Sequence, residues 1–171
     1  MKLRHFDCYF TKVSDLSPLK DMPLVNLQCN GTSVSDLSPL KGMPLPQLDC
    51  SYTQVSDLSP LKGMPLAGLS CHHTRVKDLS PLTGMQLTGL DCHGTAVADL
   101  SPLKGMKLSI LRCGATKISD LSPLKGMPLT DLSCDFKPER DSKILRSLTT
   151  LQQINGKPAR EFWKEVDAKK P

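Results

Sequence analysis

The sequence predicts a repeat solenoid, a chain wound into stacked coils, and three observations point there. The phrase Val34-Ser35-Asp36-Leu37-Ser38-Pro39-Leu40-Lys41-Gly42-Met43 recurs with small edits six times between Val13 and Met127. The seven cysteines, Cys8, Cys29, Cys50, Cys71, Cys92, Cys113 and Cys134, all lie 21 residues apart. Hydrophobic content is 39% but aromatic content only 4%, which suits a core of stacked Leu, Val, Met and Cys. A fixed period in the twenties belongs to architectures in which each unit packs only on its neighbours.

Aligned on the cysteines, each unit reads L-x-x-L-x-C-x-x-T-x-V-x-D-L-S-P-L-K-G-M-P. Leu24, Leu27 and Cys29 show the alternation of a short strand, with Gln28 and Asn30 on its other face. Val34 turns inward after Thr32. Ser38 is expected as an N-cap, with Pro39 at the first helical position, where its missing N–H costs nothing. Gly42 can take the left-handed conformation that closes such a turn. Only three or four residues lie between, so the spacing predicts a single 3₁₀ turn rather than a helix. Seven side chains per unit are expected inside: Leu24, Leu27, Cys29, Val34, Leu37, Leu40 and Met43.

These residues carry a resemblance. L-x-x-L-x-C-x-x-T-x-V resembles the leucine-rich repeat core, with Cys in a leucine slot and Thr in place of the usual Asn. The continuation Val34-Ser35-Asp36-Leu37-Ser38-Pro39-Leu40 is similar to the I-S-D-I-S-P-L phrase of the bacterial internalin-like subclass. The resemblance covers residues 1 to about 135. It implies an α/β fold: a right-handed leucine-rich repeat solenoid, with short parallel β-strands on the concave face, 3₁₀ turns on the convex face and a helical C-terminal cap. The hydroxyls of Thr11, Thr32, Thr53, Thr74, Thr95 and Thr116 are a smaller donor set than an amide offers, so the side-chain ladder of the family is left open.

The domain reading is an array over 1–135 and a cap over 136–171. After Cys134 the period stops, and Lys137-Pro138-Glu139-Arg140 opens an amphipathic stretch with Ile144, Leu145 and Leu148 on one face. Leu151 and Ile154-Asn155-Gly156-Lys157-Pro158 resemble the final half-repeat of leucine-rich repeat proteins. Pro158 then starts a helix carrying Phe162, Trp163 and Val166, with Trp163 expected as the largest plug. Lys169-Lys170-Pro171 reads as a frayed tail. At the other end Met1 falls in the methionine column (Met22, Met43, Met64, Met85, Met106, Met127), so the chain begins mid-repeat. That predicts a piece of a longer array, and an uncapped N-terminal coil through which the chain can associate.

Charge narrows the functional classes. The net charge of +5 is uneven: residues 1 to 136 carry 13 basic and 12 acidic side chains, residues 137 to 171 carry 9 and 5. The array therefore lacks the basic stripe with interleaved aromatics that nucleic acid requires, and no nucleic-acid partner is expected. No apolar run approaches ~20 residues, so no membrane partner is expected either. Adjacent coils would place cysteines ~4.8 Å apart with parallel side chains, whereas a disulfide needs converging Cβ atoms at ~3.8 Å. The column reads as buried free thiols, which together with the absence of a signal segment predicts a cytoplasmic, reducing location.

The outward strand positions vary while the rest is nearly constant, so the concave face is the candidate binding surface. One row runs Asp7, Gln28, Asp49, Ser70, Asp91, Arg112, Ser133. A second runs Tyr9, Asn30, Ser51, His72, His93, Gly114, Asp135, and a third His5, Asn26, Gln47, Gly68, Gly89, Ile110, Asp131. The candidate contact residues are Gln28, Asn30, Asp49, Ser51, Ser70, His72, Asp91, His93 and Arg112. His72 and His93 sit in adjacent coils near Asp91, a pattern that could ligate a divalent ion. Cys71 and Cys92 turn inward by strand alternation and no C-x-x-C pair exists, so no metal and no cofactor are expected. The aspartates at 15, 36, 57, 78, 99 and 120 read as caps of the convex turns; Lys20, Lys41, Lys62, Lys104 and Lys125 form a solvated ridge.

No phosphate loop, nucleophile–base pair or metalloprotease motif is present, and no enzyme is expected. The reading is a non-enzymatic module that binds a protein or peptide on its concave face. A solvated face without a dedicated ligand competes with it, as in a degenerate repeat copy. A further alternative is the recognition arm of a larger bacterial serine/threonine kinase, because arrays of this look accompany such domains; this chain has neither V-A-I-K nor H-R-D.

Overall fold

Twenty-one residues make one turn of the coil, and the strand register records it. The computed structural model describes residues 3–169; Met1 of the methionine column and the Lys170-Pro171 tail lie outside them. The strands are β1 His5–Asp7, β2 Asn26–Gln28, β3 Gln47–Asp49, β4 Gly68–Ser70, β5 Gly89–Asp91, β6 Ile110–Arg112, β7 Asp131–Ser133, β8 Gln153–Ile154 and β9 Lys157–Pro158. They form one sheet in chain order. From β1 to β7 each residue pairs in parallel with the residue 21 places on, as in Asn26 with Gln47 and Gln28 with Asp49. The sheet continues past residue 135: β8 pairs in parallel with β7 and β9 turns back antiparallel.

Leu24, Leu27, Cys29, Val34, Leu37, Leu40 and Met43 are all buried, and their counterparts repeat the pattern coil after coil. All seven cysteines are free and buried. The threonine hydroxyls close each coil on itself: Thr32 Oγ1 donates to the Cys29 carbonyl at 2.6 Å, and its counterparts do the same at 2.6–2.8 Å. A hydroxyl three residues on reaches only its own coil, so no side-chain ladder runs between coils at this position.

On the convex side 3₁₀ turns occupy Ser17–Leu19, Ser38–Leu40, Ser59–Leu61, Ser80–Leu82, Ser101–Leu103 and Ser122–Leu124. The cap is not the serine. Asp36 Oδ1 accepts the Ser38 N–H and Oδ2 accepts the Ser38 O–H, both at 2.7 Å, and the other five turns are built the same way. A carboxylate two residues upstream offers two acceptors where a hydroxyl offers one, so the serine donates and Pro39 becomes the second residue of the turn. Those bonds hold the six aspartate pKa values below the usual carboxylate range. The Met43 N–H then donates to the Leu40 carbonyl at 3.0 Å, with Lys41 at φ −54°, ψ 124° and Gly42 at φ +74°. These are the angles of a type II turn, whose third position needs a positive φ.

At the C-terminal end α1 (Pro138–Ser147) replaces the convex turn and α2 (Ala159–Ala168) follows β9. Leu145 and Leu148 are buried and Ile144 packs beside them. Phe162, 8% exposed, is the buried plug, whereas Trp163 is only partly buried. Trp163 is held at the rim because its ring lies edge-on to Phe136 and Phe162, with the Arg146 guanidinium 4.0 Å from its centroid. Asp141 is 1% exposed, a feature the residue pattern does not announce. Its carboxylate accepts Arg140 Nε at 2.6 Å and the Lys137 N–H at 2.8 Å, tying the start of α1 to itself.

Candidate binding surface

Strand alternation sends Leu27 and Cys29 inward, so Asn26 and Gln28 must face out, and the 21-residue register stacks their counterparts into rows. Two expected rows are strand rows of the sheet, His5 to Asp131 and Asp7 to Ser133. The third lies just past the strands, where backbone bonds still link the coils, as in Phe10 N–H to Asn30 O and Tyr52 N–H to His72 O.

A shallow trough of about 300 Å³ runs along the strand rows, lined by Gln28, Gln47, Asp49, Ser70, Asp91, Ile110 and Arg112 among others. Two glycines line it, and one of them opens it. The Gln47 side chain lies over Gly68, but no atom lies within 4 Å of where a Gly89 Cβ would be. Ile110, 40% exposed, stands beside that opening. Arg112 lies between two carboxylates, 3.9 Å from Asp91 and 3.6 Å from Asp131, with its side chain 52% exposed. Ion pairs this long and this wet are worth ~1 kcal/mol or less, so the guanidinium stays free to change partners. Asp49 and Asp91 each use one oxygen to accept the N–H two residues on, at 2.9 and 3.1 Å.

Ser51 departs from the expected set. It is 1% exposed, its hydroxyl shares a hydrogen with Ser70 Oγ at 2.7 Å and its N–H is held by Asp49, so it braces the face instead of contacting a ligand. Gln28, Asn30, Asp49, Ser70, His72, Asp91 and His93 are half-buried and Arg112 is exposed. Asn30 Oδ1 is buried without a hydrogen bond among the described residues.

Along the rim runs a ledge of rings. Phe10, Gly31, Tyr52, His73, Gly94 and Ala115 all have φ between +51° and +67°. That conformation turns the side chain out over the next coil. The Tyr52 and His73 rings stack with centroids 4.8 Å apart and planes 15° apart. His72 stands edge-on to both, and His93 lies 5.3 Å from His73. Beneath the Phe10 and His73 rings the next coil carries glycine: a Cβ at Gly31 would come within 2.6 Å of Phe10, and one at Gly94 within 2.6 Å of His73. His72 and His93 are thus bridged by His73 in place of facing each other directly. Among the described residues no three His, Cys, Asp or Glu side chains gather in a metal-holding group. Two glycines in a column otherwise filled by Phe, Tyr, His and Ala are the one trace of this ledge in the sequence.

Inside, burial pushes the thiols up, Cys29 and Cys92 to about 12, and Cys50 and Cys71 well above their ordinary value. Such sulfurs are neutral and unreactive at neutral pH. Among the described residues no helix is long and apolar enough to cross a membrane.

No family model matches the sequence, and no curated protein matches it either. Solved structures do. Internalin C2 of Listeria monocytogenes superposes with a TM-score of 0.76 at 25% identity, over 87% of this chain and 69% of that one. An internalin, InlF, of the same organism gives 0.63 at 24% identity, over 89% and 60%. The functional domain of Listeria InlJ, which includes a cysteine ladder, gives 0.59 at 22% identity, over 89% of this chain and 34% of that one.

Proposed function

We propose that this chain, which has the internalin-like leucine-rich repeat fold, is a non-enzymatic module that holds a protein or peptide across its concave strands. The observation that carries the reading is the trough over Gly89, a polar and partly apolar opening on a sheet face on which no element of the described residues packs. Its neighbours supply what an interface uses: hydrogen-bonding amides at Gln28 and Gln47, loosely paired charge at Arg112, an exposed Ile110 and, on the rim, Tyr52. Tyr and Arg are enriched in binding hot spots because they give large contact area with a polar tip. The convex side offers no such variety, since its aspartates and serines are spent on turn closure.

Gly89 gives a clean test, because a side chain there meets open space and its φ is not left-handed. Gly89→Tyr should fold like the wild type and lose a co-purified partner, as should bait with charge-reversed Asp49, Asp91 and Arg112. Equal recovery of the same partner by wild type and both variants, identified by mass spectrometry, rejects the concave face as the site.

A further inference from the structure

All four histidines of the chain, His5, His72, His73 and His93, lie on the concave strands or their rim. They share that side with five carboxylates, Asp7, Asp49, Asp91, Asp131 and Asp135, against one permanent cation, Arg112. The chain as a whole is +5, so this face opposes the charge of the molecule that carries it. A docking segment responds to charges within a Debye length, ~8 Å at physiological salt, more than to the distant cap. At neutral pH the face therefore favours cations. When the imidazoles protonate, its cations equal its carboxylates and that preference disappears.

The geometry places the imidazoles where they count. His73 is exposed and has the Tyr52 ring stacked on it, with His72 and His93 edge-on. His93 follows Asp91, which holds its backbone N–H, and approaches Gly114 from one side as Asp135 does from the other. Asp135 spends both oxygens on the Ala115 and Thr116 N–H groups, so it stays fixed there. Arg75 is exposed beyond the ledge. The His73 ring centroid lies 5.5 Å from that of His72 and 5.3 Å from that of His93, so the three imidazoles form one continuous group on the rim.

We propose that the concave face holds a basic, extended segment of a protein partner near neutral pH and releases it as the histidines protonate. The proposal rests on the reading of this face as the docking surface. A lysine or arginine tip reaches Asp49 or Asp91 across the opening at Gly89, and its methylene stem lies on Ile110. An extended backbone fits because the trough is shallow and crosses successive strands.

Fluorescence anisotropy with an alternating Lys-Ser peptide, and an alternating Glu-Ser peptide as control, tests this on the intact chain. The Lys-Ser peptide should bind at about pH 7.5 and weaken about tenfold at about pH 5.5, the span in which imidazoles titrate. The Asp49→Asn/Asp91→Asn double variant keeps both backbone-accepting oxygens and should bind about tenfold more weakly. Glu161→Gln, on the exposed side of α2, should change nothing. A His72→Gln/His73→Gln/His93→Gln variant, checked for folding by circular dichroism, should bind almost equally at both pH values. No binding of the Lys-Ser peptide, equal binding of the Glu-Ser peptide, or an unchanged pH response in the histidine variant overturns the proposal. A natural partner that Gly89→Tyr excludes but whose docking segment is acidic or uncharged also overturns it, and leaves the concave face as the docking surface. Loss of both readings would show as a partner whose capture ignores Gly89→Tyr.

Discussion

Cys29 shows what winding the chain does to one ionisable side chain. In the unfolded chain its thiol titrates near 9.0; in the stack burial pushes it up to about 12, with the neighbouring Cys8 and Asp49 adding to the rise. Cys92 and Cys134 reach about 12 in the same way, again chiefly through burial. A group whose pKa rises on folding contributes fully below its unfolded value, and that contribution is lost as pH climbs toward the folded one. Between the two values each thiol withdraws about 1.4 kcal/mol of stability per pH unit. The ladder should therefore lose stability steeply from about pH 9 upward. Urea unfolding at stepped pH checks this: a Cys29→Ala variant should show a shallower alkaline slope than wild type, and an identical slope would mean that Cys29 does not titrate with unfolding. The thiol column was legible from spacing alone, since side chains aimed in parallel cannot converge into a bridge. Ser51 was not, because strand alternation assigns a face to a residue but cannot say that its hydroxyl will turn to Ser70.

At the scale of elements, the closing hairpin repairs what the threonines leave undone. The threonine hydroxyl three residues after each cysteine stays within its own coil, so at the cysteine position the coils are joined by backbone bonds such as Cys29 N–H to Asp49 O at 2.9 Å. The last coil departs from that rule: Asn155 Oδ1 accepts the Cys134 N–H at 2.8 Å, an amide reaching across the interface where a backbone carbonyl served before. Asn155 and Gly156 both have positive φ, 52° and 74°, as the two-residue turn between β8 and β9 requires. Asn155→Ala strands the Cys134 N–H and strains the turn, for a loss of about 2–3 kcal/mol. Asn155→Asp keeps both the acceptor and the tolerance for this conformation, and should be nearly neutral. Equal losses in the two variants by urea unfolding would deny the side-chain bond its role. The half-repeat Ile154-Asn155-Gly156-Lys157-Pro158 was visible in the sequence. The bond was not, and neither was the buried Asp141, because a carboxylate on an amphipathic helix reads as solvated until its partners, here Arg140 and Lys137, are placed around it. The ring ledge was hidden for a related reason: a left-handed position announces itself only where glycine fills it, and Phe10, Tyr52 and His73 do not look like turn residues.

Over the whole molecule, coils that touch only their neighbours share burial unevenly. Val34, Val55, Val76 and Val97 are fully buried, and Met43 and Met64 nearly so, but their counterparts in the first coil, Val13 and Met22, are only partly covered. Each coil is too small to order its own backbone, because a residue's conformational entropy costs ~1–2 kcal/mol and one face of burial does not match it. Stability at any coil therefore depends on what lies on both sides of it. The central amides, such as Cys71 N–H bonded to Asp91 O at 2.8 Å, can open only when neighbouring coils part. The Cys8 N–H, bonded to Gln28 O at 2.9 Å, belongs to the coil with the least covered core. Hydrogen exchange read by mass spectrometry should then show graded protection, lowest over the first coil and highest over β3 to β6. Those central amides should exchange only through global unfolding, so their protection should fall in step with urea-measured stability while that of the first coil hardly changes. Uniform protection from the first coil to the cap would instead mean one all-or-none unit, and the nearest-neighbour account of this solenoid would have to be given up.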